Sequence, residues 1–279
     1  EQKKLLEKQL WNIADILRGK MGADEYRDYV LGFIFFKYLS ENLYQFANKI
    51  LVDDDILFDQ LDETKEEDQP FLEAVKTECI HELGYYLHPS ELFGYIANKG
   101  KQTENGKAKF IIEDLERVLN NIEQSTMGTA SEDDFGNLFE DLDLNSTKLG
   151  KTVEARNEVI AKVIAHLSEV DFKLDEAEAD VLGDAYEYMI GQFASGAGKK
   201  AGEFYTPQQV SKIMAKIVTI GRDRIKSVYD PTCGSGSLLL RVAKETKVAQ
   251  FYGQEQNRTT YNLARMNMIL HDVHYLKFD

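Results

Sequence analysis

Between residues 225 and 270 the chain passes twice through a short apolar run ending in an acid, a turn, and an amphipathic helix. The first pass is IKSVYD, then the loop PTCGSG, then SLLLRVAKE. The second is AQFYGQE followed by RTTYNLARMNMIL. Strand–loop–helix–strand–helix at this spacing is the opening half of a doubly wound parallel sheet. Ligands of such sheets lie at the carboxyl ends of the strands, where Asp230 and Glu255 both fall.

Everything before that point has helical periodicity. Leu6, Leu10, Ile13 and Leu17 share one face of LLEKQLWNIADILR, the spacing of an amphipathic helix. YRDYVLGFIFFKYLSENLYQFANKI is apolar nearly all round at first and reads as the central helix of a bundle. Its apolar core, residues 29–39, is too short to span a bilayer and carries Lys37. Shorter helices are expected near 71–82, 89–98 and 108–122, after an acidic loop. Residues 125–152 read as an irregular connection with one short helix. VEARNEVIAKVIAHL then aligns Ile160, Val163, Ile164 and Leu167, with His166 at the boundary. DVLGDAYEYMIGQF aligns Leu182, Tyr186, Met189 and Phe193. In YTPQQVSKIMAKIV, Thr206 is the expected N-cap, Pro207 the first helical residue and Gln209 the capping-box partner. Val210, Ile213, Met214 and Ile217 form its expected buried stripe. The composition shift at SEVDFKLDEAEAD divides a helical domain, 1–169, from an α/β domain, 170–279.

At 279 residues two ordinary domains fit. Two cysteines, Cys79 and Cys233, imply neither a disulfide framework nor a structural zinc site, and favour a reducing cytoplasm. The net charge of −15 is uneven: residues 200–279 carry 12 Lys+Arg against 7 Asp+Glu, and the acid excess lies before them. Duplex binding needs Lys and Arg against phosphates, so the acidic part is a poor DNA surface and the basic part permits contact.

The loop DPTCGSG has several possible occupants. A P-loop requires a lysine and a spacing that are absent after Gly234. A dinucleotide loop would use Gly234, Gly236 and Glu255, but its third glycine is Leu239. S-adenosylmethionine uses more of the residues. Asp230 suits its ammonium or the water around it, and Gly234 and Gly236 allow close backbone approach. Ser235 offers hydrogen bonds, and Glu255 accepts from the ribose. Cys233 reads as a small residue under the turn rather than a nucleophile.

DPTCGSG resembles the loop of amino-methyltransferases that modify exocyclic amines of DNA bases. Two further stretches extend the likeness in the right order: Gly202-Glu203-Phe204-Tyr205-Thr206-Pro207 before it, and GQEQNRTTYNLARMNMILH after it. LWNIADILRGKMGADEYRDYVLGFIFFKYLSE resembles the helical N-terminal domain of the modification (M) subunit of type I restriction–modification systems. The resemblance implies an all-α domain followed by the first part of a Rossmann-like S-adenosylmethionine-dependent methyltransferase domain, acting on N6 of adenine in DNA. It carries over Glu203, Phe204, Tyr205, Thr206, Pro207, Gln208, Asp230, Gly234, Ser235, Gly236, Ser237 and Glu255 as cofactor residues. It implies a specificity (S) subunit that reads the DNA, a second M subunit, a restriction/motor (R) subunit, double-stranded DNA, and a bacterial or archaeal cytoplasm. The target adenine would be flipped out to reach the methyl group.

One family element is missing. The catalytic Asn/Asp-Pro-Pro-aromatic signature does not occur, because Pro70, Pro89, Pro207 and Pro231 are all isolated. The expectation is a fragment with half of a cofactor site, no catalytic residue and no methylation activity of its own. Competing readings are a single-chain type II-like or phage-defence adenine methyltransferase, a non-catalytic assembly module, and a nicotinamide-dependent dehydrogenase.

Overall fold

The structure is a computed structural model that describes residues 2–18, 20–104, 107–172, 174, 181–196, 205–273 and 277–278. The helices are α1 (Gln2–Leu17), α2 (Ala23–Ile50), α3 (Gln69–Glu82), α4 (Phe93–Lys101), α5 (Ile112–Ser125), α6 (Glu132–Phe135), α7 (Val153–Ser168), α8 (Val181–Gly196), α9 (Gln208–Thr219), α10 (Ser237–Glu245) and α11 (Arg258–Leu270). The strands are β1 (Thr103–Glu104), β2 (Lys107–Ala108), β3 (Arg224–Ile225), β4 (Val228–Asp230), β5 (Lys247–Val248), β6 (Phe251–Gly253) and β7 (Lys277–Phe278). Contacts divide the chain into two compact units. One comprises Asn12–Gly22 and Asp28–Asp175; the other comprises Glu1–Trp11, Ala23–Arg27 and Glu176–Asp279.

The helical unit is organised by α2. Residues 29–37 are all buried, as an apolar run without a polar face requires. The stripe Ile160, Val163, Ile164 and Leu167 of α7 is buried, and His166 is exposed. The acidic loop is anchored rather than loose, since Phe58 and Leu61 are both buried. A two-stranded antiparallel ribbon, β1–β2, has no counterpart in the periodicity.

The exception to apolar burial in α2 is Lys37, 2% exposed. Its ammonium donates to the carbonyls of Leu167 (3.1 Å) and Val170, pairs with Glu41 at 3.0 Å, and lies 4.3 Å from the centre of the Phe172 ring. Leu167 stands in the last turn of α7, where its carbonyl also accepts from Val170 N–H at 3.1 Å, and Val170 lies just beyond the helix. Burial lowers the Lys37 pKa and raises that of Glu41, each shift only partly offset by the other's charge. Lys37 therefore acts as a buried helix C-cap.

The second unit contains the α/β part. β4, β6 and β7 form one sheet in the order β4-β6-β7, and β3 pairs with β5; every one of these pairings is parallel. The core cluster beneath the sheet is Cys233, Leu239, Leu240, Phe251, Ala264, Met268 and Phe278. The first helix contributes its N-terminal part here. Lys3 bonds Asp184 at 2.8 Å, and Trp11 and Tyr26 pack on Phe193 with ring centroids 5.5 and 5.6 Å apart.

α9 departs from its sequence reading in two ways. Its N-cap is Pro207, one residue later than expected, without a side-chain cap bond. The stripe expected in the core is outside: Val210, Ile213, Met214 and Ile217 are 44–65% exposed. The buried residues are Ser211, Ala215 and Thr219. The main packing partner of α9 is α10, and small side chains allow two helix backbones to approach closely. Close approach, not hydrophobicity, decided which face went inside.

Candidate cofactor-binding site

The loop after β4 is built from the main chain outward. Cys233 N–H donates to the Gln254 carbonyl and Gln254 N–H to that of Asp230, both at 2.9 Å, so the two strand ends stay registered beyond the sheet. Asp230 turns its carboxylate back to accept from Thr232 N–H at 3.0 Å. Gly234 and Gly236 have φ of +56° and +79°, the left-handed region that costs an L-residue about 1–2 kcal/mol. The Glu255 carboxylate accepts from Gly234 N–H at 3.2 Å and from Asn257 N–H at 2.8 Å. Asp230, Gly234 and Glu255 thus form one hydrogen-bonded group at the carboxyl ends of β4 and β6.

α10 begins at the loop with Gly236 as N-cap and no side-chain cap. Its first-turn amides are therefore available to an anion, which the helix dipole favours. Ser235 and Ser237 are both buried and share a hydroxyl–hydroxyl hydrogen bond of 3.0 Å. The Ser235 hydroxyl is thus directed to its neighbour, leaving the main chain as the loop's ligand-facing part. Burial, reinforced by the Asp230 and Glu255 charges, pushes the Cys233 thiol up to about 12. A neutral, buried thiol is no nucleophile at physiological pH.

Of the preceding segment, Glu203 and Phe204 lie outside the described residues. Tyr205 is half-buried against α8, where a Cβ on Gly191 would meet its hydroxyl oxygen at 2.9 Å. Burial raises the Tyr205 pKa, and the Glu187 charge adds to it. Thr206 and Gln208 are half-buried and Pro207 is exposed. Beside the loop, the open edge of β4 and the exposed face of α9 frame an apolar cleft of about 430 Å³, lined by Met214, Val218, Val228, Tyr229 and Leu238 among others.

Sequence reasoning passed over Asp184, Glu187 and His271, whose ligand atoms lie within 4.8 Å of one another. Both Asp184 oxygens already accept from lysines, Lys244 at 2.7 Å and Lys3 at 2.8 Å. Burial would raise this carboxyl, but the two ammonium groups outweigh it and hold it below its ordinary value. Asp184 is thus an ion-pair node joining α1, α8 and α10.

Comparison with known proteins bears on both units. The profile of the HsdM N-terminal domain family matches residues 6–167, more than half of the chain. The chain belongs to the HsdM family. A second profile, N-6 DNA Methylase, matches residues 177–279 and so contains the loop, Asp230 and Glu255. The chain is 37% identical, along its whole length, to the type I restriction enzyme MpnII methylase subunit of Mycoplasma pneumoniae, covering 52% of that protein. It is 26% identical over 95% of its length to the MjaIX methylase subunit of Methanocaldococcus jannaschii, covering 45% of it. Among solved structures, the type I restriction-modification system methyltransferase subunit from Streptococcus thermophilus superposes with a TM-score of 0.83 at 38% identity, over all of this chain and 58% of that one. The chain spans about half the length of the curated relatives it matches. A helical domain followed by part of a methyltransferase domain is the architecture of this family, as the sequence resemblance implies. Among the described residues no helix is long and apolar enough to cross a membrane.

Proposed function

We propose that the chain is the cofactor-holding part of a type I DNA methyltransferase M subunit, which transfers a methyl group from S-adenosylmethionine to N6 of adenine. The observation that carries this reading is the loop at the end of β4, with two left-handed glycines, an uncapped helix start and Glu255 against the Gly234 amide, inside the N-6 DNA Methylase match. These features fit the cofactor's three polar parts. The first-turn amides of α10 (Ser237 onward) bind the methionyl carboxylate, Asp230 takes the ammonium through water, and Glu255 accepts from the ribose. Gly234, Ser235 and Gly236 supply the main chain that faces the ligand, and Glu203, Phe204, Tyr205, Thr206, Pro207 and Gln208 line the methionyl side. Bound there, S-adenosylmethionine would supply an electrophilic methyl on a positively charged sulfur. No Asn/Asp-Pro-Pro-aromatic tetrapeptide occurs in these 279 residues, so their share of the reaction is cofactor binding. The division is 1–169 for assembly and 170–279 for the methyltransferase fold.

The acid excess before residue 200 supports delegation of DNA reading to a separate S subunit, with a second M subunit and an R subunit completing a bacterial or archaeal cytoplasmic assembly on double-stranded DNA. Isothermal titration with S-adenosylmethionine and with NAD tests the reading. Binding of the first alone, weakened in Asp230→Ala and Glu255→Ala, is the expected result. Equal binding of NAD, or binding indifferent to both substitutions, would overturn it.

A further inference from the structure

α11 packs under the cofactor loop with a face that includes Leu263, Ala264, Met268 and Leu270, all buried. In the middle of it stands Asn267, 0% exposed. Burying an amide among apolar side chains is costly unless its hydrogen bonds are made. Asn267 makes only part of them: its Nδ2 donates to the Ser235 carbonyl at 2.9 Å, and its Oδ1 finds no partner among the described residues. On packing grounds alone, a leucine would serve this position better.

The one bond that the Asn267 side chain makes among the described residues falls on a strategic peptide unit. The Ser235–Gly236 peptide is gripped at both ends, its carbonyl by Asn267 and its N–H by the Cys233 carbonyl at 2.9 Å. Gly236, the next residue, is left-handed and opens α10. With that peptide plane fixed, the direction of the first-turn amides is fixed as well. The Met268 sulfur lies 3.6 Å from where a Gly236 Cβ would stand, so the same helix closes the loop from below.

We propose that Asn267 is a positioning residue for the cofactor: it touches no ligand, and orients the Ser235–Gly236 peptide so that the loop amides meet the methionyl end. The proposal rests on the S-adenosylmethionine reading of this loop, and it separates affinity from stability. Asn267→Leu removes a buried amide with an unpartnered oxygen but also takes the donor from the buried Ser235 carbonyl, two effects of opposite sign, so the urea midpoint should change little. The loss of one buried hydrogen bond at the loop should weaken S-adenosylmethionine binding about tenfold. Asn267→Asp, which replaces the donor by an acceptor facing a carbonyl, should weaken it further.

The test pairs titration calorimetry with hydrogen exchange of the 229–240 peptide, on the same wild-type and variant chains. Weaker binding and faster exchange in Asn267→Leu at a little-changed urea midpoint are the expected outcome. If affinity falls only in step with stability, or exchange in the loop is unchanged, Asn267 is an ordinary core residue and the proposal fails. If the wild type does not bind S-adenosylmethionine, the cofactor reading fails, while the exchange arm still decides whether Asn267 holds the peptide.

Discussion

Gly236→Ala isolates backbone strain from steric clash, because the structure separates the two. At φ +79° and ψ 0° the residue is left-handed, yet the nearest atoms to a Cβ there would be the Met268 Sδ at 3.6 Å and the Ala264 carbonyl oxygen and Met268 Cγ, both at 3.8 Å. The space is ordinary van der Waals room, so the cost comes from φ. Holding an L-residue in that region costs about 1–2 kcal/mol, and replacing glycine returns about 0.4–1 kcal/mol through the unfolded chain. The net expectation is a loss of about 1 kcal/mol in a urea melt. Asparagine tolerates the left-handed region better than alanine, so Gly236→Asn should recover part of the loss. Gly253→Ala is the control of the opposite kind. Its Cβ would lie 2.5 Å from a Phe278 ring carbon, an overlap that typically costs about 1–3 kcal/mol and that asparagine would worsen. Gly236→Ala as stable as wild type, or Gly236→Asn no better than Gly236→Ala, would refute the claim that the loop is locked left-handed.

Lys37→Met should cost about 1–3 kcal/mol, since it takes the Lys37 donor from the buried Val170 carbonyl and leaves the Leu167 carbonyl with main-chain N–H donors alone; a change below about 0.5 kcal/mol would show that water replaces the amine. Burial pushes both Cys79 and Cys233 from an ordinary 9.0 up to about 12. A raised folded-state pKa gives stability that is complete below the unfolded pKa and lost as pH rises through the folded one. The decline should therefore lie between about pH 9 and 12, and be shallower in Cys79→Ala and Cys233→Ala when urea midpoints at pH 7 and 10 are compared. Both thiols should also resist a thiol reagent at neutral pH until the chain is unfolded.

Most helices were legible because burial and periodicity agree in them. Leu6, Leu10, Ile13 and Leu17 align at helical spacing and are all buried, and the same holds for α7 and α8. α9 was misread because its sequence has two coherent faces, one large and apolar, one small. Periodicity ranks faces by hydrophobicity, whereas the fold selected Ser211, Ala215 and Thr219 for their size. At the loop, the glycines were legible, since only particular residue types serve a left-handed turn, and Asp230 and Glu255 fall at or just beyond the strand ends as the pattern placed them. The grip on the loop was not legible, for it comes from Asn267, 32 positions beyond the carbonyl it holds. The signal in the sequence was weak, because the buried residues of α11 also include Thr260, Asn262 and Arg265. β1–β2 escaped because two-residue strands carry no period.

The bonds of Lys3 and Trp11 to Asp184 and Phe193 have a consequence for the order of events on the ribosome. The first turns of the chain leave the exit tunnel early, but their partners in α8 are made about 180 residues later. At roughly 5–20 residues per second of synthesis, the beginning of α1 waits on the order of ten seconds or more with its apolar side uncovered. Closing so long a loop is also slow compared with local helix pairing. The start of α1 is thus secured only once α8 has been made, long after the rest of α1 and α2.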